Sequence, residues 1–212
     1  MNKTRQGAVV FDFDGTLVDS FPVALDIFYE ITHTSAFEQE DMMRFRGMTM
    51  LQLAKDLRIP IYAIPFLLVR GRQIMRRRMH NVQLIAGMES AIQELYETHK
   101  LFILSSNSSH NISSILERYN LTHYFSGVYG SVPLLGKARA LRRLLKQYRL
   151  DTSQTWYVGD EARDIEAAQK NHLNSIAVSW GYNNIHVLQQ HRPMTLVFTT
   201  EELVSCFKNN KP

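Results

Sequence analysis

The sequence predicts an α/β protein, a parallel sheet wrapped by helices, with a helical segment inserted after the first strand. Short β-type runs alternate with helical patterns along most of the chain. Between about Asp19 and Leu84 the strand signal vanishes and apolar residues recur at helical spacing. The first apolar run ends on two carboxylates, Asp12 and Asp14, and turns at once on Gly15 and Thr16.

In chain order, "AVVFDF" (8–13) is the first strand. "SFPVALDIFYEITH" then carries Phe21, Leu25, Phe28 and Ile31 along one side of a helix. "TMLQLAKDLRIP" is a second helical run closed by Pro60, and Pro65 suits the first turn of a third. That third pattern continues through "RGRQIMRRRMH", with Ile74, Met75 and Met79 at helical spacing. Strands follow at "LFILSS" (101–106), "GVYG" (127–130), "TWYVGD" (155–160) and "SIAVSW" (175–180), and "MTLVF" (194–198) adds a last one. Thr199 with Glu202 resembles a capping box that opens the final helix. Residues 1–18 and 85–212 are therefore expected to form the core domain, and residues 19–84 a lid-like helical subdomain.

Composition bounds the function. With 45% hydrophobic and 21% charged residues the chain is an ordinary globular protein, and no apolar run approaches the roughly 20 residues of a membrane-spanning helix. Lys3 and Arg5 precede an apolar run as in a secretion signal, but Asp12 and Asp14 interrupt it too early, so a cytoplasmic protein is expected. The single cysteine, Cys206, excludes an intrachain disulfide and a cysteine metal cluster. A net charge of +4 and a pI near 9.2 invite a nucleic-acid reading. The basic runs Arg70–His80 and Lys137–Arg149 have helical apolar spacing, however, and read as solvated helix faces. Nucleic acid and membrane are not expected partners, an attraction for anionic ligands is, and the chain is expected to be a monomer or a homodimer.

Residues two apart in a strand point to the same side, so Asp12 and Asp14 would project together near the sheet's C-terminal edge. Open α/β sheets place their ligands at that edge. Two acids that merely capped a turn would leave like charges close together without compensation. In "YVGDEARDIEAA", Asp160 follows a strand and Asp164 lies four residues later, on the same side if a helix begins there. Helix N-terminal charges would explain that pair alone. Four carboxylates at the ends of two strands call for a hard cation, and Mg²⁺ favours such oxygen ligands. "LFILSSNSS" ends a strand on Ser105, Ser106 and Asn107, where hydroxyl and N–H groups suit phosphate oxygens. Lys137, which opens a helical run, supplies a compensating positive charge.

These residues, in this order, resemble the four motifs of the haloacid dehalogenase-like hydrolase superfamily, particularly its phosphoglycolate-phosphatase-like members. The motifs are "DFDGTLVDS", "LSSN", Lys137 and "GDEARD", and the likeness extends over Gly87–Asn107 and Ser175–Tyr182. Many relatives carry a Pro two residues after the third-motif lysine, where this chain has Arg139. The resemblance implies a doubly wound, Rossmann-like core with a helical cap over it. It implies Asp12 as nucleophile, Asp14 as general acid and base, and Ser106 and Lys137 as phosphate ligands, with Asn107 beside them. Asp12, the main-chain carbonyl of Asp14, and Asp160 would hold Mg²⁺, with Asp164 supporting that shell.

The chemistry stands without the name. A carboxylate is ionised at neutral pH and can attack phosphorus without a base, once positive charge offsets the phosphate dianion. A second carboxylate that protonates the departing alkoxide and then activates water must hold its proton more readily than its metal-bound neighbour. The expected activity is Mg²⁺-dependent hydrolysis of a small phosphorylated metabolite through an aspartyl-phosphate. "FRGMTM" (45–50) resembles the family's substrate-facing cap loop and makes Arg46 a candidate contact for the leaving group. "GSVPLLGKA" has the wrong spacing for a phosphate-binding Walker loop. Haloacid dehalogenation would not need Asp14. A β-phosphoglucomutase-like mutase is the second reading, because "RGMT" also resembles that cap loop, and a silent binding or regulatory module is the third.

Overall fold

The computed structural model describes residues 7–32, 48, 52, 55–56, 58–133 and 135–208. Six strands, β1 (Gly7–Phe11), β4 (His99–Leu104), β5 (Phe125–Tyr129), β6 (Thr155–Gly159), β7 (Asn174–Val178) and β8 (Thr195–Val197), form one parallel sheet in the order β5-β4-β1-β6-β7-β8. The remaining two, β2 (Val18–Asp19) and β3 (Gln83–Leu84), pair antiparallel as a separate ribbon.

Side chains of the central strands alternate between two cores. Val9, Phe11, Leu101, Ile103, Trp156 and Val158 enter one. Helices α3 (Met88–Tyr96), α4 (Ser109–Arg118) and α8 (Thr200–Lys208) close it, through residues such as Ile92, Ile112 and Leu203. Ala8, Val10, Phe102, Leu104 and Tyr157 enter the other, beneath α5 (Lys137–Tyr148) and α6 (Ala162–Gln169). Burial on both faces is why these strands read as continuous apolar runs, without polar alternation. The short helix α7 (Ile185–Gln190) adds Leu188 to a small cluster with Ile165 and Ala177.

The chain leaves β1 for β4 and β5 on one side, then crosses to β6, β7 and β8 on the other. A crevice forms at such a reversal, beyond the C-terminal ends of the strands, so the ends of β1, β4 and β6 are the natural place for a ligand.

The β2–β3 ribbon joins the points where the inserted segment leaves and returns, with Val18 opposite Leu84 and Asp19 opposite Gln83. Helix α1 (Phe21–Thr32) packs along α2 (Ile64–Arg78), whose second residue is Pro65. The single stripe expected on α1 is in fact two. Phe21 and Leu25 pack with Tyr29, Met48 and Tyr182, whereas Val23 and Ile27 join the main core with Met79 and Val82. A helix wedged between two neighbours buries more than one face, and Phe28 is only half-buried. Half of "TMLQLAKDLRIP" lies outside the described residues. At the last helix, Thr199 Oγ1 accepts from the Glu202 N–H at 3.2 Å, and the Glu202 carboxylate accepts from the Phe198 N–H at 2.7 Å. That is one residue earlier than in a capping box. Among the described residues no helix is long and apolar enough to cross a membrane.

Candidate active site

Asp12 prolongs β1 by one step, its N–H donating to the Val158 carbonyl at 2.8 Å. It continues the alternation of Ala8 and Val10, so its carboxylate emerges on the face covered by α5 and α6. There Lys137, the first residue of α5, donates to Asp12 Oδ2 at 2.7 Å and also to Asp164 Oδ1. None of these three side chains is more than 3% exposed. Gly159 at the end of β6 admits this arrangement, since a Cβ there would stand 2.5 Å from Asp164. Burial disfavours the Lys137 ammonium, yet the adjoining Asp12 and Asp164 carboxylates more than offset it and hold its pKa well above that of an ordinary lysine.

Asp14 does not follow Asp12 along a strand. The strand stops at Phe11, and the chain curls so that Leu17 N–H donates to Phe13 O at 2.9 Å and Gly15 N–H to Val18 O at 2.9 Å. Gly15 has φ of 72°, a turn that favours glycine, and packs against Asp160 and Tyr182. Asp14 Oδ1 accepts from Asn107 Nδ2 at 3.1 Å. The Asn107 amide is itself fixed, because its Oδ1 accepts from the Ser108 N–H and from Asn111 Nδ2, both at 2.8 Å. Burial first, then the Asp12 charge, push the Asp14 carboxyl up to about 6, against the lowering effect of Ser20, Asn107 and Arg163. Ser106 lies half-buried in the same turn, between the buried Ser105 and Asn107.

Asp160 takes a different position from Asp164. Helix α6 begins at Ala162, beyond Asp160, so the two acids do not share a helical face. Asp160 Oδ1 accepts from Thr16 Oγ1 at 2.7 Å and Oδ2 from the Tyr182 N–H at 2.7 Å. Its carboxylate thus ties the first-strand turn to the segment after β7. Oxygens of Asp12, Glu161 and Asp164 instead all lie within 4.8 Å of one another. Burial, moderated by Lys137, lifts Asp164 to about 6, and burial with Glu161 nearby raises Asp160 well above the usual carboxylate range. Carboxylates this close repel one another, and a hard cation fits their all-oxygen donor set.

The structure thus brings Asp12, Lys137 and Asp164 into direct contact and sets Asp14 and Asn107 beside them. Arg46 lies outside the described residues. Thr16, read from the sequence only as a turn residue, joins the site, as do Tyr182, Glu161 and Arg163, to which the sequence assigns no role. Glu161 and Arg163 stand inside "GDEARD", where charges at a helix start conceal any further role.

A family model described as haloacid dehalogenase-like hydrolase matches residues 9–178. A phosphoglycolate phosphatase of Synechococcus elongatus is 33% identical over 203 residues, covering 93% of this chain and 95% of its own. One from Vibrio cholerae is 27% identical over 193 residues, covering 83% of this chain and 85% of its own. A solved structure of a haloacid dehalogenase-like hydrolase from Streptococcus pneumoniae matches in fold with a TM-score of 0.80 at 22% identity, over 97% of this chain and 100% of that one. The matched span includes Asp12, Lys137 and the helix that carries Asp164, and the chain belongs to the haloacid dehalogenase-like hydrolase family.

Proposed function

We propose that the chain is a Mg²⁺-dependent phosphomonoester hydrolase for a small phosphorylated metabolite, with phosphoglycolate the first candidate. The carrying observation is the buried Asp12 carboxylate, held at 2.7 Å by Lys137 at the crevice end of β1. The kinship with phosphoglycolate phosphatases supports the choice of substrate.

Asp12 attacks phosphorus, the bond to the ester oxygen breaks, and an acyl phosphate forms on Asp12. Asp14, whose raised proton affinity suits the task, gives its proton to the departing alkoxide. Deprotonated, Asp14 takes a proton from water as that water attacks phosphorus, which frees Asp12 and releases inorganic phosphate. Lys137 orients Asp12 and offsets the negative charge of the phosphoryl group. Ser106 and Asn107 at the end of β4 bind phosphoryl oxygens. Family pattern supports Asp12, the Asp14 carbonyl and Asp160 as Mg²⁺ ligands, and the oxygen cluster supports Glu161 and Asp164 close to them. A bound Mg²⁺ supplies positive charge against the phosphate dianion.

Residues 19–84 act as the cap, hinged at the β2–β3 ribbon, and Arg46 within it contacts the leaving group. A closing cap of this size excludes large substrates and sheds bulk water from the site.

Phosphate release from phosphoglycolate, nucleoside monophosphates and hexose phosphates, each with and without Mg²⁺, tests this reading. Turnover that needs Mg²⁺ and favours phosphoglycolate is the expected result. Phosphoryl transfer between positions of a hexose phosphate, with no release to water, would establish a mutase instead.

A further inference from the structure

Arg163 is the second residue of α6 and lies between Glu161 and Asp164, two members of the oxygen cluster. Its Nε donates to the Glu161 carboxylate. Its Nη1 is buried and has no hydrogen-bond partner. The side chain as a whole is 29% exposed, so the guanidinium is partly open to solvent with one of its nitrogens buried. A buried donor left unbonded forfeits its hydration, and folded proteins keep few of them.

The charges around it narrow the explanation. Lys137 is committed to two carboxylates, Asp12 and Asp164. Arg163 is bonded to Glu161 alone and keeps donors to spare. Glu161, to which Arg163 is bonded, has a carboxylate oxygen within 4.8 Å of oxygens of Asp12 and Asp164, so the guanidinium stands next to the acids of the site. A phosphoryl dianion entering among Asp12, Asp14, Glu161 and Asp164 needs a cation that is not already occupied. The planar guanidinium, with its fork of N–H donors, matches phosphate oxygens better than any other side chain.

We propose that Arg163 is a phosphate ligand, with Nη1 donating to a non-bridging oxygen of the phosphoryl group while Glu161 steadies the guanidinium through Nε. This deepens the phosphatase reading above and rests on it.

The test is binding of inorganic phosphate to the Mg²⁺-loaded protein, followed by phosphorus NMR, for wild type, Arg163→Met, Arg163→Lys and Glu161→Gln. Arg163→Met should weaken phosphate binding roughly tenfold to a hundredfold, the range for a charged hydrogen bond. Arg163→Lys keeps the charge without the fork, so it should recover part of the loss and stay folded if Met is not tolerated. Glu161→Gln should weaken phosphate less than Arg163→Met. In turnover, kcat/KM of Arg163→Met should fall by a common factor for esters with neutral and anionic leaving groups. Unchanged phosphate affinity in folded Arg163→Met and Arg163→Lys overturns the inference. So does a loss confined to esters with anionic leaving groups, or a gain in Mg²⁺ affinity with phosphate binding intact. If wild type hydrolyses no ester yet binds phosphate through Arg163, the phosphatase reading fails and the ligand assignment stands; turnover with unaltered phosphate binding in the variants fails this inference alone.

Discussion

Asp12→Asn should lower kcat by roughly three orders of magnitude or more, because a neutral amide cannot replace an ionised oxygen nucleophile. The substitution keeps the volume of the side chain, and Lys137 retains its second partner, Asp164. The fold should therefore survive, with a loss of stability smaller than that from removing the lysine itself. Steady-state kinetics with the preferred ester, alongside a thermal melt, check both halves. Substantial residual turnover would mean that another group attacks phosphorus.

Lys137→Met should be damaging in two ways. Asp12 and Asp164 are buried and share this one ammonium, so its loss leaves two carboxylates facing each other in a poorly solvated site. Breaking a buried pair from one side costs about 3–5 kcal/mol, and denaturant melts in EDTA should show a loss of that order. The same change removes the positive charge that orients Asp12 toward phosphate, and activity should fall by about a hundredfold or more. Added Mg²⁺ should restore part of the stability by compensating the carboxylates, without restoring turnover. A variant as stable as wild type in EDTA would show that the lysine is not the cation holding these acids.

Much of this site could be read before any coordinates. The strand ending on Asp12 is buried on both faces, so its apolar run is unmistakable, and the alternation of Ala8 and Val10 fixes the side on which Asp12 emerges. Lys137 was legible as a helix-opening cation even with Arg139 where many relatives have proline. The position of Asp160 was not legible. It depends on whether α6 starts at that residue or at Ala162, and a shift of that size lies within the ordinary uncertainty of a helix boundary. Only the structure reveals that Thr16 and the Tyr182 N–H occupy both oxygens of Asp160. Periodicity likewise gave one buried stripe for α1, because it describes a helix against a single neighbour. Val23 and Ile27 are buried by the second neighbour. Glu161 and Arg163 were masked by their surroundings, since an acid and a base at a helix start are common without any ligand.

Covalent catalysis by Asp12 requires a phosphorylated aspartate during turnover, and mass spectrometry of protein quenched in acid would detect it. Wild type and Asp14→Asn would be digested and the peptide that holds Asp12 compared with the rest. The expected result is one added phosphoryl group on Asp12; with an aryl phosphate, whose phenoxide departs without an acid, it should be more abundant in Asp14→Asn, where the water that cleaves the acyl phosphate has lost its base. A phosphoryl group on another residue, or sustained hydrolysis with none trapped on Asp12 in either protein, would contradict it.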